Sequence, residues 1–297
     1  MTLFRGLVAF PITPMNADGH VDTAALSRLV RRLVEAGVDS IGVLGSTGSY
    51  PYLSRAERRR AIEAAVAEAG GRVPVMAGIG ALRTDEAVLC AQDAKAAGAG
   101  AGLLAPVSYT PLTEGEVFTH FETVAGATDL PICIYNNPGT THFTFGDALI
   151  GRLSRLPNVG GVKNPAPETA AAAAISALRV LTPTGFSVGY STDWNATEVL
   201  IAGGDAWYSV LAGLFPGVCK EIHSAVAQGD HAKARQRNEH LSSLWQLFRN
   251  FSSLRVIYAA ANLIGICDAV PPLPIQPLAE PARRQVAETL DRLGLAT

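Results

Sequence analysis

The sequence predicts an α/β protein: a (β/α)8 TIM barrel with a C-terminal three-helix extension. Three observations carry that prediction. Eight short apolar runs alternate with longer segments whose apolar residues recur at helical spacing. The runs are apolar throughout instead of alternating, which implies burial on both faces, as in a parallel sheet covered by helices. After about residue 215 the strands stop and only helical patterns follow.

The strand candidates, in order, are LVAF (7–10), SIGVLG (40–45), VPVMAGI (73–79), GAGLLA (100–105), PICIYN (131–136), VGGVKN (159–164), FSVGY (186–190) and AWYSVLA (206–212). Between the first two, Leu26, Leu29, Val30, Leu33 and Val34 mark one helix face, and Gly37 stands where a C-terminal cap belongs. Ser54 precedes RAERRRAIEAAVAEAG with Glu57 three residues on, a capping-box signature. Eight βα units in this span suit a closed barrel. A doubly wound open sheet would call for GxGxxG after the first strand, where this chain has PITPMNADG. The later helical patterns run over 217–249, 254–265 and 280–294, with Pro271, Pro272, Pro274, Pro277 and Pro281 breaking the chain between the last two. The expected division is a barrel over 1–215 and a helical extension over 216–297 that includes the last barrel helix.

The bulk numbers exclude several classes. The 297 residues are 48% hydrophobic and 17% charged, with a net charge of −2, so there is material for a large core and no basic excess to hold nucleic acid. The run Arg58, Arg59 and Arg60 falls in a helix and reads as a solvated face. No stretch reaches the ~18 apolar residues of a membrane span. The N-terminus lacks the apolar core and cleavage site of a signal peptide. Cys90, Cys133, Cys219 and Cys267 are far apart in apolar surroundings, which fits buried thiols in a cytoplasmic protein.

In a parallel barrel the chemistry sits at the C-terminal ends of the strands. The chain has only four lysines, and Lys163 alone ends an apolar strand. Desolvation there disfavours the charged form, and a neutral amine can attack a ketone to form an iminium. The position equally suits a lysine whose head reaches out to solvent. Tyr135 ends the preceding strand, close enough to relay protons at that amine, or simply to close the barrel top. GSTGS after the second strand offers amides and hydroxyls for a carboxylate, or is an ordinary tight turn. The eighth strand carries Tyr208 and Ser209. No histidine pair has metal-site spacing, and no GxSxG elbow is present.

These pieces occur in one known arrangement. The opening GLVAFPITPMNADGHVD, the turn GSTGS before YLSRAERR, YNNPGTT and GGVKN resemble the dihydrodipicolinate synthase / N-acetylneuraminate lyase superfamily, in its order and at its spacing. The resemblance implies that Lys163 forms the Schiff base, Tyr135 shuttles protons and Ser46 joins the relay. Thr47 and Gly48 would hold the substrate carboxylate, with Thr140, Tyr109 and Ser209 as further substrate contacts. It implies a small-molecule 2-oxo acid substrate, no metal or cofactor, and a homotetramer built as a dimer of dimers. Several positions depart from the pattern. Ser49 replaces the usual glutamate, and Thr140 stands where the synthases place an arginine for the aldehyde's carboxylate, which a threonine cannot replace. At the paired-tyrosine segment the chain has Ser108 and Tyr109, and His142 is a candidate contact. The expected function is a class I aldolase-type lyase acting on pyruvate or a related 2-oxo acid. The alternatives are 4-hydroxy-tetrahydrodipicolinate synthase of lysine biosynthesis and a non-catalytic 2-oxo-acid-binding barrel.

Overall fold

β1 (Gly6–Ala9), β2 (Ser40–Val43), β3 (Val75–Gly78), β4 (Ala101–Leu104), β5 (Ile132–Tyr135), β6 (Val159–Pro165), β7 (Ser187–Ser191) and β8 (Ala206–Ser209) close into a barrel in chain order. The structure is a computed structural model describing residues 3–296. Every neighbouring pair of strands is parallel. The helices are α1 (Thr23–Glu35), α2 (Arg55–Ala69), α3 (Thr84–Ala96), α4 (Glu114–Gly126), α5 (Pro138–Thr141), α6 (Asp147–Leu153), α7 (Ala171–Leu181), α8 (Ala196–Ile201), α9 (Pro216–Ala227), α10 (His231–His240), α11 (Ser242–Phe251), α12 (Ser253–Leu263) and α13 (Glu280–Arg292).

The period of two along each strand divides the core. Val8, Phe10, Met76, Cys133, Tyr135 and Tyr208 face inward as one cluster. The alternate positions, such as Leu7, Ile134, Val188 and Trp207, join the helix layer outside. The large inward rings demand small neighbours. A Cβ on Gly42 would lie 2.3 Å from the Phe10 ring, and one on Gly189 would lie 2.4 Å from Tyr208. Glycine at these points lets three aromatic rings share the top of the barrel.

Several sequence expectations are altered in detail. The eighth strand ends at Ser209, because the chain turns through a short 3-10 segment at Leu211–Gly213. The pattern over 217–249 resolves into α9, α10 and α11, divided around Gly229 and at Leu241. Asp230 caps α10 through its side chain. The capping box at α2 is half made. Ser54 accepts from the Glu57 amide, but the Glu57 carboxylate turns to the Val21 amide at 2.6 Å. The Arg58–Arg60 run is not one solvated face. Arg58 shares the buried side of α2 with Ala61, Ile62 and Ala65, and donates to the Gly78 carbonyl at the end of β3 at 2.9 Å. Only Arg59 and Arg60 face solvent. All four cysteines are free and buried.

Candidate active site

Register places the chemistry. Tyr135 pairs with Lys163 across β5 and β6, and Lys163 pairs with Gly189 on β7. Both side chains point into the barrel, where Lys163 is only 4% exposed. It does not reach out to solvent. Its Nζ lies 3.8 Å from the Phe10 ring centroid, 4.7 Å from that of Tyr135 and 5.7 Å from that of Tyr208. The amine is thus held by ring faces instead of by carboxylates. Cys133 and Tyr208 lie beneath it, with Sγ and OH 3.4 Å apart. Burial pushes the Cys133 thiol up to about 12 and the Tyr208 phenol well above its usual value, so both are neutral groups at neutral pH.

The Tyr135 phenol is the centre of a hydrogen-bond chain. It donates to Ser46 Oγ at 2.9 Å and accepts from Asn137 Nδ2 at 2.9 Å. The Asn137 amide can only donate to the phenol oxygen, which leaves the phenol proton directed at the serine hydroxyl. Asn136 and Asn164, one residue beyond Tyr135 and Lys163, bond to each other at 2.9 Å and tie the two strand ends together.

The GSTGS turn is held open by backbone geometry. Leu44 and Ser49 both have left-handed φ values, of 58° and 54°. Ser49 donates its amide to the Ser46 carbonyl. The amides of Ser46, Thr47 and Gly48 have no protein acceptor among the described residues. The turn leads into the three-residue 3-10 segment Tyr50–Tyr52 and not directly into α2, so its anion-binding capacity rests on individual amides and hydroxyls. Gly48 serves packing: a Cβ there would lie 2.9 Å from the Leu44 backbone.

A cavity of about 490 Å³ opens above this turn, with Ser46, Thr47, Tyr50, Asn137 and Thr140 on its walls. Thr140 Oγ1 is 3.3 Å from the Asn137 carbonyl, to which it donates. Asp193, after β7, is a buried carboxylate close to Lys163. It accepts from Trp207 Nε1 at 2.8 Å and from the Val210 and Leu211 amides at 3.1 and 2.9 Å. Burial raises its pKa, against the pull of these donors and of the Lys163 charge. It thereby pins the chain after β8 to β7. Among the described residues, no three His, Cys, Asp or Glu side chains come together as a metal-ligand set.

The structure brings Lys163, Tyr135 and Ser46 together, and Ser46 joins Thr47 and Thr140 on the wall of the cavity. It does not bring in Ser209, which strand parity turns away from the barrel interior. Its Oγ accepts from the Ala212 amide at 2.9 Å and lies 3.7 Å from Cys219 Sγ on α9. Tyr109 is 97% exposed on the loop after β4 and contacts no part of this chain's cavity. Ser108 is engaged with the Thr110 carbonyl. His142 is an exposed left-handed cap of α5, off the cavity wall. Sequence reasoning missed Phe10, Asn137, Asp193 and Arg255. Asn137 lies two residues after a recognised tyrosine. Phe10 stands at the end of the first strand pattern and Asp193 just beyond the seventh, so their positions were marked but not their roles; Arg255 comes from the C-terminal helices, and no local pattern marks it.

The chain matches the model of the Dihydrodipicolinate synthetase family over residues 3–293. It is 33% identical to the 4-hydroxy-tetrahydrodipicolinate synthase of Gluconacetobacter diazotrophicus over 294 residues, 99% of this chain and 98% of that one. Its fold superposes on a crystal structure of dihydrodipicolinate synthase from Agrobacterium tumefaciens with a TM-score of 0.96, at 52% identity, covering 98% of this chain and 99% of that chain. It also superposes on the dihydrodipicolinate synthase of Acinetobacter baumannii complexed with pyruvate, with a TM-score of 0.90 at 31% identity, over 98% and 99% of the two chains.

Proposed function

This chain belongs to the dihydrodipicolinate synthetase family, and from that membership we propose that Lys163 forms a Schiff base with pyruvate or a related 2-oxo acid in a class I aldolase-type lyase. The observation that carries the assignment is the chain Asn137–Tyr135–Ser46, whose central tyrosine ring lies 4.7 Å from a buried, ring-caged amine. Lys163 Nζ attacks the ketone carbon, and the carbinolamine loses its oxygen as water. Tyr135 delivers and removes the protons of that step, with Ser46 as the next group in line. Thr47 and the free amides of the turn hold the substrate carboxylate. The iminium then draws electrons from the adjacent C–H bond, whose proton leaves through the Tyr135–Ser46 relay, and the resulting enamine carries the carbon–carbon or dehydration chemistry.

Incubation with pyruvate followed by borohydride reduction tests the reading. Intact-mass and peptide analysis should find one reduced pyruvate adduct, located on Lys163 and lost in Lys163→Met. Absence of that adduct sinks the proposal and leaves a binding barrel. A second reading, 4-hydroxy-tetrahydrodipicolinate synthase, is favoured by the names of the full-length curated relatives. Turnover of pyruvate with aspartate semialdehyde supports it. Dehydration or cleavage of hydroxy-2-oxo or sugar acids without such turnover supports the broader lyase.

Two finer points belong to this proposal. We place the chain in a homotetramer built as a dimer of dimers. The support is Tyr109 and Leu82, which stand 97% and 65% exposed on loops of neighbouring strands. The four buried free thiols support the cytoplasm as its compartment. No helix among the described residues is long and apolar enough to cross a membrane.

A further inference from the structure

The cavity above Ser46 and Thr47 carries one charged side chain, and it comes from the C-terminal extension. Arg255 sits in the first turn of α12. Ser252, between α11 and α12, has φ 73° and ψ 131°, a conformation that costs a serine free energy. That turn brings Ser252, Ser253, Leu254 and Arg255 to the lining of the cavity, which Thr140 and Thr141 also line. Arg255 Nε donates to the Gln276 carbonyl at 3.2 Å, which anchors the guanidinium. Among the described residues its two terminal nitrogens have no protein acceptor and no carboxylate partner. No acidic side chain lines the cavity, so the positive charge there is uncompensated.

We propose that Arg255 is the specificity-determining cation of the second-substrate subsite, binding a carboxylate remote from the carbon that meets Lys163. This rests on the Schiff-base reading above. A guanidinium held at Nε still presents its terminal N–H groups to an oxyanion, and charge-assisted bonds of this kind are the strong ones. Thr140, at the position of the strand-five motif where the synthases place an arginine, can offer only a hydroxyl. The positive charge is thus supplied across the cavity from a different element. The substrate class follows: a 2-oxo acid or aldehyde partner that ends in a second carboxylate, in preference to a neutral or purely hydroxylated tail.

Borohydride trapping on Lys163 reads this directly, using pairs of 2-oxo acids equal in chain length. One pair is 2-oxoglutarate and 2-oxopentanoate, and the other is 2-oxoadipate and 2-oxohexanoate. The measured quantity is the ratio of half-saturating concentrations within a pair. In the native protein one diacid should trap at roughly tenfold lower concentration than its monoacid. That preference should collapse in Arg255→Gln and fall partway in Arg255→Lys, because an ammonium is a point charge without a fork. Equal trapping of both members in both pairs overturns the proposal. So does a preference that survives Arg255→Gln. Should Arg255→Gln not fold, a preference undiminished in Arg255→Lys overturns it too. Failure of the native protein to trap even pyruvate overturns the Schiff-base reading first, which separates the two failures.

Discussion

At the residue scale, Tyr135 shows why a proton relay needs more than a tyrosine near a lysine. Its phenol receives from Asn137 and gives to Ser46, so it is already polarised in one direction before substrate arrives. Replacing it with phenylalanine keeps the ring against Lys163 and removes only the proton path. General acid–base groups of this kind contribute roughly 10²- to 10⁴-fold in rate. Tyr135→Phe should therefore slow the exchange of pyruvate methyl protons for deuterium by at least about 10²-fold, followed by NMR. Exchange at the native rate would remove Tyr135 from the relay. The residue types at 46, 47, 135 and 163 were readable because each stands at or just beyond the C-terminal end of a strand pattern. The rings of Phe10 and Tyr208 around the amine were not, since their approach depends on glycines at 42 and 189 on other strands.

At the scale of elements, α3 and α4 are joined by a buried histidine. His120 on α4 meets Thr84 Oγ1 at the start of α3 at 2.9 Å. Burial lowers its pKa to about 4, so it is neutral in the fold. The unfolded chain, with an ordinary histidine, takes up a proton below about pH 6.5. The unfolded state therefore gains as pH falls, and the stability this site contributes is full above about 6.5 and is lost between there and 4. The loss amounts to about 3 kcal/mol. His120→Gln keeps a partner for Thr84 and cannot titrate. Denaturant titrations from pH 7 to 4 should show native stability falling more steeply than that of the variant. Burial of His223 acts in the same direction in both proteins and cancels in the difference. Parallel slopes would mean that His120 is not the titrating group. The sequence marked α4 as a helix, but only its packing on α3 decides that the histidine is dry.

At the scale of the whole molecule, the extension is joined to the barrel through contacts between distant segments. Tyr258 on α12 donates to the Thr13 carbonyl after β1 at 3.3 Å, and its ring is fully buried. The same helix starts at the cavity wall that Arg255 occupies. Leu82, on the loop after β3, lines a groove with Val107 and Ser108, and the exposed Tyr109 follows them in the loop after β4. Covering such residues with a second copy removes apolar surface from water. Sedimentation velocity at micromolar concentration should give four times the 31.1 kDa chain mass. A single-chain mass there sinks the assembly proposal.

The sequence by itself determined the order of eight buried strands, the helices between them, and the lysine, tyrosine and Gly/Ser/Thr turn at three strand ends. It could do so because helical and strand periodicities are local, and because a parallel barrel assigns chemistry to strand ends. Tertiary structure alone decided which way those side chains face. Strand register turned Lys163 and Tyr135 inward and Ser209 outward. It also decided the cation of the cavity. Residues 136–150 contain no lysine or arginine to replace the one missing at Thr140, and Arg255 on α12 is the charged side chain that lines the cavity. The physical reason is that a site is a meeting of strand ends and loops whose distance along the chain carries no information about their distance in space.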